Sequence, residues 1–251
     1  IYRALQRIPH LVDGFAQTQR KVIYTCIDKN IDKKTKVSDL AAIISLHTKY
    51  HHGSGSIETT LTNLVPIYNN QVPLLREDGT YGSRSERDAS APRYIETRLF
   101  KYSKVIFNDI DNSKFVEEQF TEGTKIEPVT MLPILPLILI NGQKQIGVGY
   151  ACDILPRNIN DIVKIMKGIL TGKSKSVPTT IKPYAPLFKG TIEKNPEKPN
   201  GWTYTGIVTM PRKDTYHITE VPPKWTRDGY LQELEKLKDS GKIKSYVENI
   251  V

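Results

Sequence analysis

The sequence predicts an α+β protein in which a helical winged-helix part is followed by an α/β part. Apolar residues recur at helical spacing through the first third of the 251-residue chain. From about Lys101, short apolar or alternating runs separated by Asn, Gly and Pro replace that pattern. A chain of this length can bury one large core or two modest ones. We therefore place a domain boundary near residue 110 and expect two domains, 1–110 and 111–251.

The composition indicates a soluble globular protein with an acidic partner. Hydrophobic residues make up 38% of the chain and charged residues 25%, proportions that are ordinary for a globular fold. The formal net charge is +9 and the pI is about 9.3. A basic balance of this size makes nucleic acid the first candidate partner.

Neither a membrane span, a signal peptide nor a metal site is expected. The most apolar run, Met131–Ile140, is ten residues long and contains two prolines, which is too short to cross a bilayer. Arg3 and Arg7 interrupt the N-terminal segment, which rules out a signal peptide pattern. Cys26 and Cys152 lack metal-ligand spacing. We therefore expect an intracellular protein without a disulfide framework or a zinc site.

Three segments at helical spacing predict the first elements. Val12–Lys29 and Val37–His47 are followed by the glycine-containing turn Tyr50–Gly53 and by a third helix over Ser54–Val65. Two amphipathic helices joined by a short glycine turn make the helix-turn-helix pattern, whose second helix often enters the DNA major groove. A helical hairpin in an ordinary bundle has the same pattern, so the two interpretations stay open at this point.

Later segments predict a wing and then an α/β part. A polar hairpin turn is expected at Arg76–Gly82, and a hairpin after a helix pair makes a winged helix. Lys104–Asn108 and Pro133–Asn141 are expected to be strands. The remaining expected elements are a helix over Asn160–Leu170, antiparallel strands that begin near Gly190, Trp202, Gly206 and Tyr216, and a charged helix over Thr226–Ser240.

Arg93 and Tyr94 combine a guanidinium with a phenol. A tyrosine hydroxyl, with a pKa near about 10, is a poor nucleophile at neutral pH. A fixed positive charge beside it favours the phenolate and can also grip a phosphate through two parallel hydrogen bonds. Arg84, Arg87 and Arg98 lie close by, interleaved with tyrosines. This pattern indicates phosphate contacts, with a solvated basic loop as the plain alternative.

Eleven further blocks follow one another along almost the whole chain: Ile8–Phe15, Gln19–Val22, Lys36–Leu40, Tyr50–Gly53, Tyr81–Arg84, Ala91–Ile95, Leu132–Ile134, Leu139–Gly142, Ile146–Gly149, Phe188–Ile192 and Ile218–Pro222. In this order they resemble the breakage-reunion core of type IIA DNA topoisomerases, in a gyrase A-like form. The resemblance implies a winged-helix domain with the active-site tyrosine over 1–110 and a tower domain over 111–251. The coiled coil and C-gate of the family are absent, so we expect a central fragment.

The resemblance implies catalytic roles for three residues. Tyr94 would attack a DNA phosphorus and leave a 5′-phosphotyrosyl link beside a free 3′-hydroxyl. Arg93 would stabilise the negative charge that builds up on the phosphoryl group. His52 would orient or deprotonate the nucleophile, since imidazole titrates near neutral pH. A phosphate-contacting or capping role for His52 carries equal weight.

Further residues are implied to contact DNA. Arg20 and Lys21 match positions that hold the backbone near the scissile phosphate, and a solvated helix face is the plain alternative. Ile146 matches a residue that wedges between base pairs and bends the duplex, an assignment that rests wholly on the resemblance. The other expected DNA-contacting residues are Lys49, His51, Arg84 and Arg87, with a structural role as the alternative for His51.

The resemblance also implies cofactors and partners outside this chain. The sequence contains neither a TOPRIM-type acidic cluster nor an ATPase region, so Mg²⁺ and ATP are expected on a partner ATPase/TOPRIM large subunit. The expected assembly is a homodimer of this subunit within a heteromeric complex on double-stranded DNA. Separate cleavage subunits are typical of gyrase A-type and T-even phage enzymes, and we favour the phage type. The location would then be the cytoplasm of an infected bacterium, or the nucleus for a eukaryotic source.

We therefore expect the cleavage and religation subunit of an ATP-dependent type IIA DNA topoisomerase. The main alternative is a winged-helix module that binds and bends DNA without chemistry, and the Arg93–Tyr94 pair argues against it. A tyrosine recombinase would need dispersed Arg and His residues around a tyrosine near the C-terminus. Tyr94 lies too early in the chain for that class.

Overall fold

A computed structural model describes residues 7–108, 114–147 and 149–249, which form a mixed α/β protein. They divide into two compact units. The first contains the described residues up to Gly82 together with Ala89–Pro186, and the second contains Ser83–Asp88 together with residues 187–249. The domain boundary expected near residue 110 falls on residues 109–113, outside the described residues, and stays a prediction.

The first unit begins with three helices, α1 (Gln17–Asp28), α2 (Val37–His47) and α3 (Ser54–Leu64). The second and third confirm the expected ranges to within one residue. The first begins at Gln17 rather than near Val12, because the preceding residues form a turn: Gly14 has a φ of 74°, and the Asp13 carboxylate accepts a hydrogen bond from the Phe15 amide. The apolar faces of the three helices form the core with Val22, Ile23, Cys26, Val37, Leu40, Ala41, Ile44, Ile57 and Leu61, all fully buried.

A three-stranded antiparallel sheet lies next to the helices in the order β1 (Thr35–Lys36), β3 (Glu96–Leu99), β2 (Leu75–Asp78). β2 and β3 pair in continuous register, from Leu75 opposite Leu99 to Asp78 opposite Glu96. The tight hairpin turn expected at Arg76–Gly82 is wrong, because β2 already includes three of those residues. A long connection, residues 79–95, joins the two strands and carries Arg93 and Tyr94.

Two segments expected to be strands are helices. Lys101–Ile106 forms α4, and Leu137–Ile140 forms the short helix α5. Periodicity alone cannot separate strand from helix in such short apolar runs. In α4 the buried side chains are Ser103 and Ile106, three residues apart, whereas Val105 is 65% exposed, which is helical spacing. In α5 the proline at the N-cap has a fixed φ that suits the start of a helix.

Two hairpins and the helix α6 (Ile159–Leu170) complete the first unit. The hairpin strands are β4 (Phe120–Thr121), β5 (Thr124–Lys125), β6 (Gln143–Ile146) and β7 (Ala151–Ile154). β4 pairs with β5 and β6 pairs with β7, both antiparallel. The Asn158 side chain caps α6 by accepting a hydrogen bond from the Asn160 amide at 2.8 Å.

The second unit consists of two antiparallel hairpins and a helix, as the sequence predicts. Its elements are β8 (Thr191–Lys194), β9 (Trp202–Thr205), β10 (Ile207–Arg212), β11 (Thr215–Glu220) and α7 (Arg227–Asp239). β8 pairs with β9 and β10 pairs with β11. Thr226 caps α7 by accepting a hydrogen bond from the Gly229 amide at 3.2 Å. None of the helices in the described residues is long and apolar enough to span a bilayer.

Candidate functional site

Tyr94 lies on a turn that ends directly before β3. Its amide donates a hydrogen bond to the Ala91 carbonyl at 2.8 Å and closes the turn. Tyr94 is 70% exposed, whereas the next residue, Ile95, is 1% exposed and belongs to the core. The turn therefore leaves the Tyr94 side chain in solvent, while the next residue anchors the chain in the core.

The start of α2 holds this turn in place. The Val37 amide donates to the Ile95 carbonyl at 3.0 Å, and the Ser38 amide donates to the Pro92 carbonyl at 3.2 Å. The first amides of a helix have no partner within the helix, so the turn satisfies two of them. The backbone that carries Tyr94 is therefore fixed on both sides of the residue.

Arg93 places its charge against the Tyr94 ring. The guanidinium carbon is 4.7 Å from the ring centroid, a cation–π contact, and both residues are exposed. Among the described residues, neither the Tyr94 hydroxyl nor the Arg93 guanidinium has a hydrogen-bond or ion-pair partner. Both polar groups are consequently free to engage a ligand that arrives from solvent.

A second tyrosine anchors the connection that leads to this turn. Tyr81 is 1% exposed, and its hydroxyl donates to the Glu96 carbonyl at 2.9 Å. Burial is the largest cause that raises its pKa, so the group stays a neutral hydrogen-bond donor. The Ser90 amide donates to the Thr80 carbonyl at 2.9 Å and so joins the two sides of the connection, residues 79–95. Tyr81 is therefore a structural residue of the first unit.

The turn between α2 and α3 presents Lys49, His51 and His52. The two histidines are exposed, and Lys49 is half-buried with a left-handed φ of 48°. Tyr50 supports the turn: its ring centroid lies 5.2 Å from that of His52 at 72°, and its hydroxyl is 3.0 Å from Ser56 Oγ in the first turn of α3. These side chains gather at a helix N-terminus, a position that favours anions.

The His52 turn and the Tyr94 turn adjoin opposite ends of α2. A helix of 11 residues extends about 16 Å. The described contacts do not join the two side chains, so a role for His52 in activating Tyr94 stays a prediction.

Arg20 is buried and paired with Asp13. The residues are 6% and 0% exposed; the Arg20 Nε to Asp13 Oδ2 distance is 2.6 Å, and Arg20 Nη2 lies 3.2 Å from Oδ1. Arg20 Nη2 also donates to the Phe15 carbonyl at 3.0 Å. Asp13 Oδ2 accepts a further hydrogen bond from the Met131 amide at 2.9 Å. This carboxylate therefore joins the segment before α1 to the segment before α5.

Lys21 is buried and paired with Glu127. Its Nζ lies 2.7 Å from Glu127 Oε2 and donates to the Thr48 carbonyl at 3.0 Å. Lys21 is 5% exposed and Glu127 is 0% exposed. Desolvation raises the pKa of Glu127, and the Lys21 charge opposes that rise. The alternative of a solvated helix face for Arg20 and Lys21 is wrong, and their expected contacts with DNA stay a prediction.

Glu127→Gln tests the cost of burying this carboxyl. Because the folded pKa is raised, the folded protein holds the Glu127 proton to higher pH than the unfolded chain, whose value is near about 4.3. The contribution of Glu127 to wild-type stability therefore falls as pH rises through its raised folded-state pKa. Glutamine does not titrate, so the variant loses nothing over this pH range. We expect the free energy of unfolding of Glu127→Gln, relative to wild type, to increase from pH 4 to 7. The difference is measured on the full-length protein from the hydrogen exchange of α1 amides over a urea series, at each pH.

The exposed Glu197 provides the matched control for that comparison, because Glu197→Gln makes the same chemical change on a surface turn. A relative stability of Glu127→Gln that stays flat, or that falls with rising pH, would contradict the raised pKa of Glu127.

Ile146 stands at the end of a hairpin and in solvent. It is the last residue of β6, opposite Ala151 of β7, and 70% of it is exposed. Tyr150 beside it is 66% exposed. An apolar side chain placed this way contributes little to a core. Its exposure is what an inserting side chain requires, and insertion itself stays a prediction.

Arg84 and Arg87 belong to the second unit. Arg84 Nη2 pairs with Glu220 Oε1, and Glu220, 7% exposed, also accepts a hydrogen bond from the Lys189 amide at 3.3 Å. Arg87 is exposed, and its Nη2 donates to the Pro223 carbonyl at 2.9 Å. Arg84 is thus held by a carboxylate, and the DNA contacts expected of both arginines stay a prediction.

The carboxylates that hold Lys21 and Arg84 could not be identified from the sequence. Glu127 and Glu220 lie 106 and 136 residues from Lys21 and Arg84, so the local sequence contains no signal for either pair. In the described part of the chain, no group of three or more His, Cys, Asp or Glu residues is placed to hold a metal ion.

Comparisons with known proteins agree with one another. The family model described as the DNA gyrase/topoisomerase IV A-subunit matches residues 6–250. The DNA topoisomerase 2 of Acanthamoeba polyphaga mimivirus is 39% identical over 240 residues, which is 93% of this chain and 18% of that protein. The DNA topoisomerase 2 of Plasmodium falciparum is 38% identical over 259 residues, which is 99% of this chain and 18% of that protein.

A solved structure matches the whole chain. It is the DNA-binding, cleavage and re-ligation domain of Plasmodium falciparum topoisomerase II, with a TM-score of 0.92 and 36% identity. The match covers 100% of this chain and 34% of that one. This chain thus spans about a fifth of the length of the curated relatives.

Proposed function

Because this chain belongs to the DNA gyrase/topoisomerase IV A-subunit family of the type II DNA topoisomerases, we propose that it cleaves and rejoins duplex DNA through a transient 5′-phosphotyrosyl bond. The observation that carries the proposal is the Arg93–Tyr94 turn, where an exposed phenol has a guanidinium 4.7 Å from its ring. The relatives are named DNA topoisomerase 2, and the matched structure is described as a cleavage and re-ligation domain.

The proposed reaction is a reversible transesterification. Tyr94 Oη attacks a DNA phosphorus, the Oη–P bond forms and the P–O3′ bond breaks. The phenol proton passes to a base, and the departing 3′ oxygen takes up a proton. The resemblance offers His52 as that base, but the His52 turn and the Tyr94 turn adjoin opposite ends of α2, so we assign His52 to phosphate contact. The reverse steps rejoin the strand. Because a phosphotyrosyl ester replaces a phosphodiester of similar energy, religation itself needs no ATP.

Arg93 acts on the phosphoryl group in this proposal. Negative charge grows on the nonbridging oxygens in the transition state, and an exposed guanidinium next to the nucleophile can donate hydrogen bonds to two of them from its planar fork. Its stacking on the Tyr94 ring keeps the charge within reach of the reacting atom. Arg93 is thus assigned to transition-state stabilisation and Tyr94 to nucleophilic attack.

The DNA surface is proposed from exposed cations and one exposed apolar side chain. Lys49, His51 and His52 gather at the N-terminus of α3, which favours phosphate. Ile146 would insert between base pairs and bend the duplex. Arg87, exposed on the second unit, would add a phosphate contact, while Arg20, Lys21 and Arg84 would have to contact DNA from paired positions.

The finer architecture is part of the proposal. The three helices and the sheet β1–β3–β2 support a winged-helix domain over residues 1–110. The later hairpins support a tower domain over residues 111–251. Both assignments follow the family resemblance, in which the tyrosine lies in the first domain and the inserting isoleucine in the second.

We also propose the assembly of the whole enzyme, on the ground of family membership. We propose a dimer whose two Tyr94 residues cut both strands, with Mg²⁺ held by a TOPRIM domain and ATP by an ATPase domain. The relatives from the mimivirus, Plasmodium falciparum and Bombyx mori are all named DNA topoisomerase 2, which supports that lineage rather than the phage type favoured from the sequence. The proposal keeps the predicted separate large subunit as the carrier of the ATPase and TOPRIM domains. A eukaryotic source would place the protein in the nucleus.

A cleavage assay tests the proposed function. The full-length protein that contains these residues, with any partner subunit, is incubated with end-labelled duplex DNA and Mg²⁺ and then denatured with detergent. We expect 3′-end-labelled fragments to stay attached to protein through their new 5′ ends, on both strands at a fixed stagger. Fragments labelled at the original 5′ end should be released with a free 3′-hydroxyl. DNA that is bound and bent but never covalently attached would contradict the enzymatic proposal and leave a DNA-binding and bending module.

A further inference from the structure

A run of three residues after α3, Asn70–Val72, lies against both α3 and the hairpin that carries Ile146. Asn70 is 9% exposed, and its Nδ2 donates to the carbonyls of Asn63 and Leu64 at 3.0 and 3.1 Å. The last carbonyls of a helix lack partners within the helix, so Asn70 caps the C-terminus of α3. The run therefore begins fixed to α3.

The next residue, Gln71, holds the base of the β6–β7 hairpin. Its Nε2 donates to the Ile140 carbonyl at 3.0 Å and to the Arg157 carbonyl at 2.7 Å. Its Oε1 accepts from the Ile159 amide at 3.0 Å. Ile140 precedes the first strand of the hairpin and Arg157 follows the second, so one side chain joins the two ends. Both amide protons and the amide oxygen of Gln71 are thus engaged.

The Val72 backbone and the Asn141 side chain form two reciprocal hydrogen bonds next to Gln71. The Val72 amide donates to Asn141 Oδ1 at 2.8 Å, and Asn141 Nδ2 donates to the Val72 carbonyl at 3.0 Å. The following residue, Gly142, has a φ of 69°, and an added Cβ would lie 2.4 Å from the Ile154 carbonyl oxygen. The hairpin base is thus closed by backbone contact as well as by the side chains of Gln71 and Asn141.

We propose that Asn70, Gln71 and Asn141 form a clasp that holds the Ile146 hairpin rigidly on α3, so that docking of α3 on DNA drives Ile146 into a base step. The inference rests on the proposed function, in which Ile146 bends the duplex. Separating stacked bases is costly, and a hairpin free to pivot at its base would yield instead of transmitting the force of docking. Gln71 and Asn141 are therefore positioning residues that act through Ile146.

Fluorescence energy transfer between dyes at the two ends of a short duplex measures bending, with the full-length protein at saturation and without cleavage. Gln71→Met keeps the length of the side chain and removes its three hydrogen bonds without adding charge. Ile146→Ala removes the inserting side chain. Gln145→Met makes the same chemical change within β6, away from the clasp, and is the matched control.

We expect Gln71→Met to lower the ratio of bent to straight bound DNA about tenfold, as Ile146→Ala does, and Gln145→Met to leave it unchanged. The Gln71→Met/Ile146→Ala double variant should bend DNA as much as Ile146→Ala alone does, because both changes act through insertion of the same side chain. The salt dependence of DNA affinity should match wild type, since the clasp contributes no phosphate contact. A purely structural role would lower thermal stability and leave the bend intact.

Wild-type bending by Gln71→Met, while Ile146→Ala fails to bend, would overturn the clasp. If Gln71→Met melts below the assay temperature, Asn141→Ala, which removes two hydrogen bonds, replaces it under the same criteria. Wild-type bending by Ile146→Ala would overturn the inference as well. Covalent attachment through Tyr94, measured on the same preparations, reports separately on the proposed function and can persist when the clasp is disproved.

Discussion

Tyr94→Phe is expected to abolish covalent cleavage of DNA and to leave DNA binding intact. Phenylalanine removes only the hydroxyl oxygen that would bond to phosphorus, and the ring that stacks under Arg93 remains. Because the Tyr94 side chain is 70% exposed and its hydroxyl has no partner among the described residues, the fold loses no internal contact. Loss of a covalent nucleophile should lower the rate of adduct formation by at least about 10⁴-fold.

The rate is measured as detergent-trapped adduct per unit time, and affinity is measured by titration of the same duplex. Tyr216→Phe is the matched control, since Tyr216 is 65% exposed on β11 of the second unit. Cleavage by Tyr94→Phe at more than a hundredth of the wild-type rate would remove Tyr94 as the nucleophile. Weakened binding with a normal rate at saturation would assign it to DNA contact instead.

Asp13→Ala is expected to destabilise the first unit more than any surface change. The Asp13 carboxylate pairs with Arg20 and also accepts backbone amides of Phe15 and Met131, all in the interior. Alanine would leave a guanidinium that is 6% exposed without its counter-charge. Removing one partner of a buried ion pair typically costs about 3–5 kcal/mol.

Hydrogen exchange of α1 amides over a denaturant series, in the full-length protein, measures this loss. Asp32→Ala removes an exposed carboxylate beyond the end of α1 and should change the opening free energy by less than about 0.5 kcal/mol. A loss below about 1 kcal/mol for Asp13→Ala would mean that Arg20 finds water or another acceptor, and that the pair does not hold the segment before α1.

The sequence predicted the helices whose hydrophobic spacing and caps lie within the helix segment itself. α2, α3 and α6 occupy the expected ranges because their apolar residues recur at helical spacing and, in α6, because Asn158 caps the start. The strands expected at α4 and α5 were wrong, since a short apolar run fits a strand or a helix equally well. Burial against the rest of the unit decided between them, and that information lies outside the segment.

The residues of the candidate site likewise fall into those that could be predicted from neighbouring sequence and those that could not. The Arg93–Tyr94 pair could be predicted, because adjacent residues on a turn meet whatever the rest of the chain does. The environments of Arg20 and Lys21 could not, since their burial depends on carboxylates brought in by the fold, one of them Glu127 at a separation of 106 residues. A cation on a helix gives no sign in its own sequence of whether it faces solvent or a buried acid.

The atoms joined in the trapped adduct decide whether Tyr94 is the nucleophile. The full-length protein is reacted with duplex DNA, denatured, digested with protease and nuclease, and the nucleotide-bearing peptide is sequenced by mass spectrometry. We expect a single modified peptide containing Arg93 and Tyr94, with the nucleotide attached to Tyr94 through its 5′ phosphate. A nucleotide on another residue, or attachment through a 3′ phosphate, would contradict this expectation.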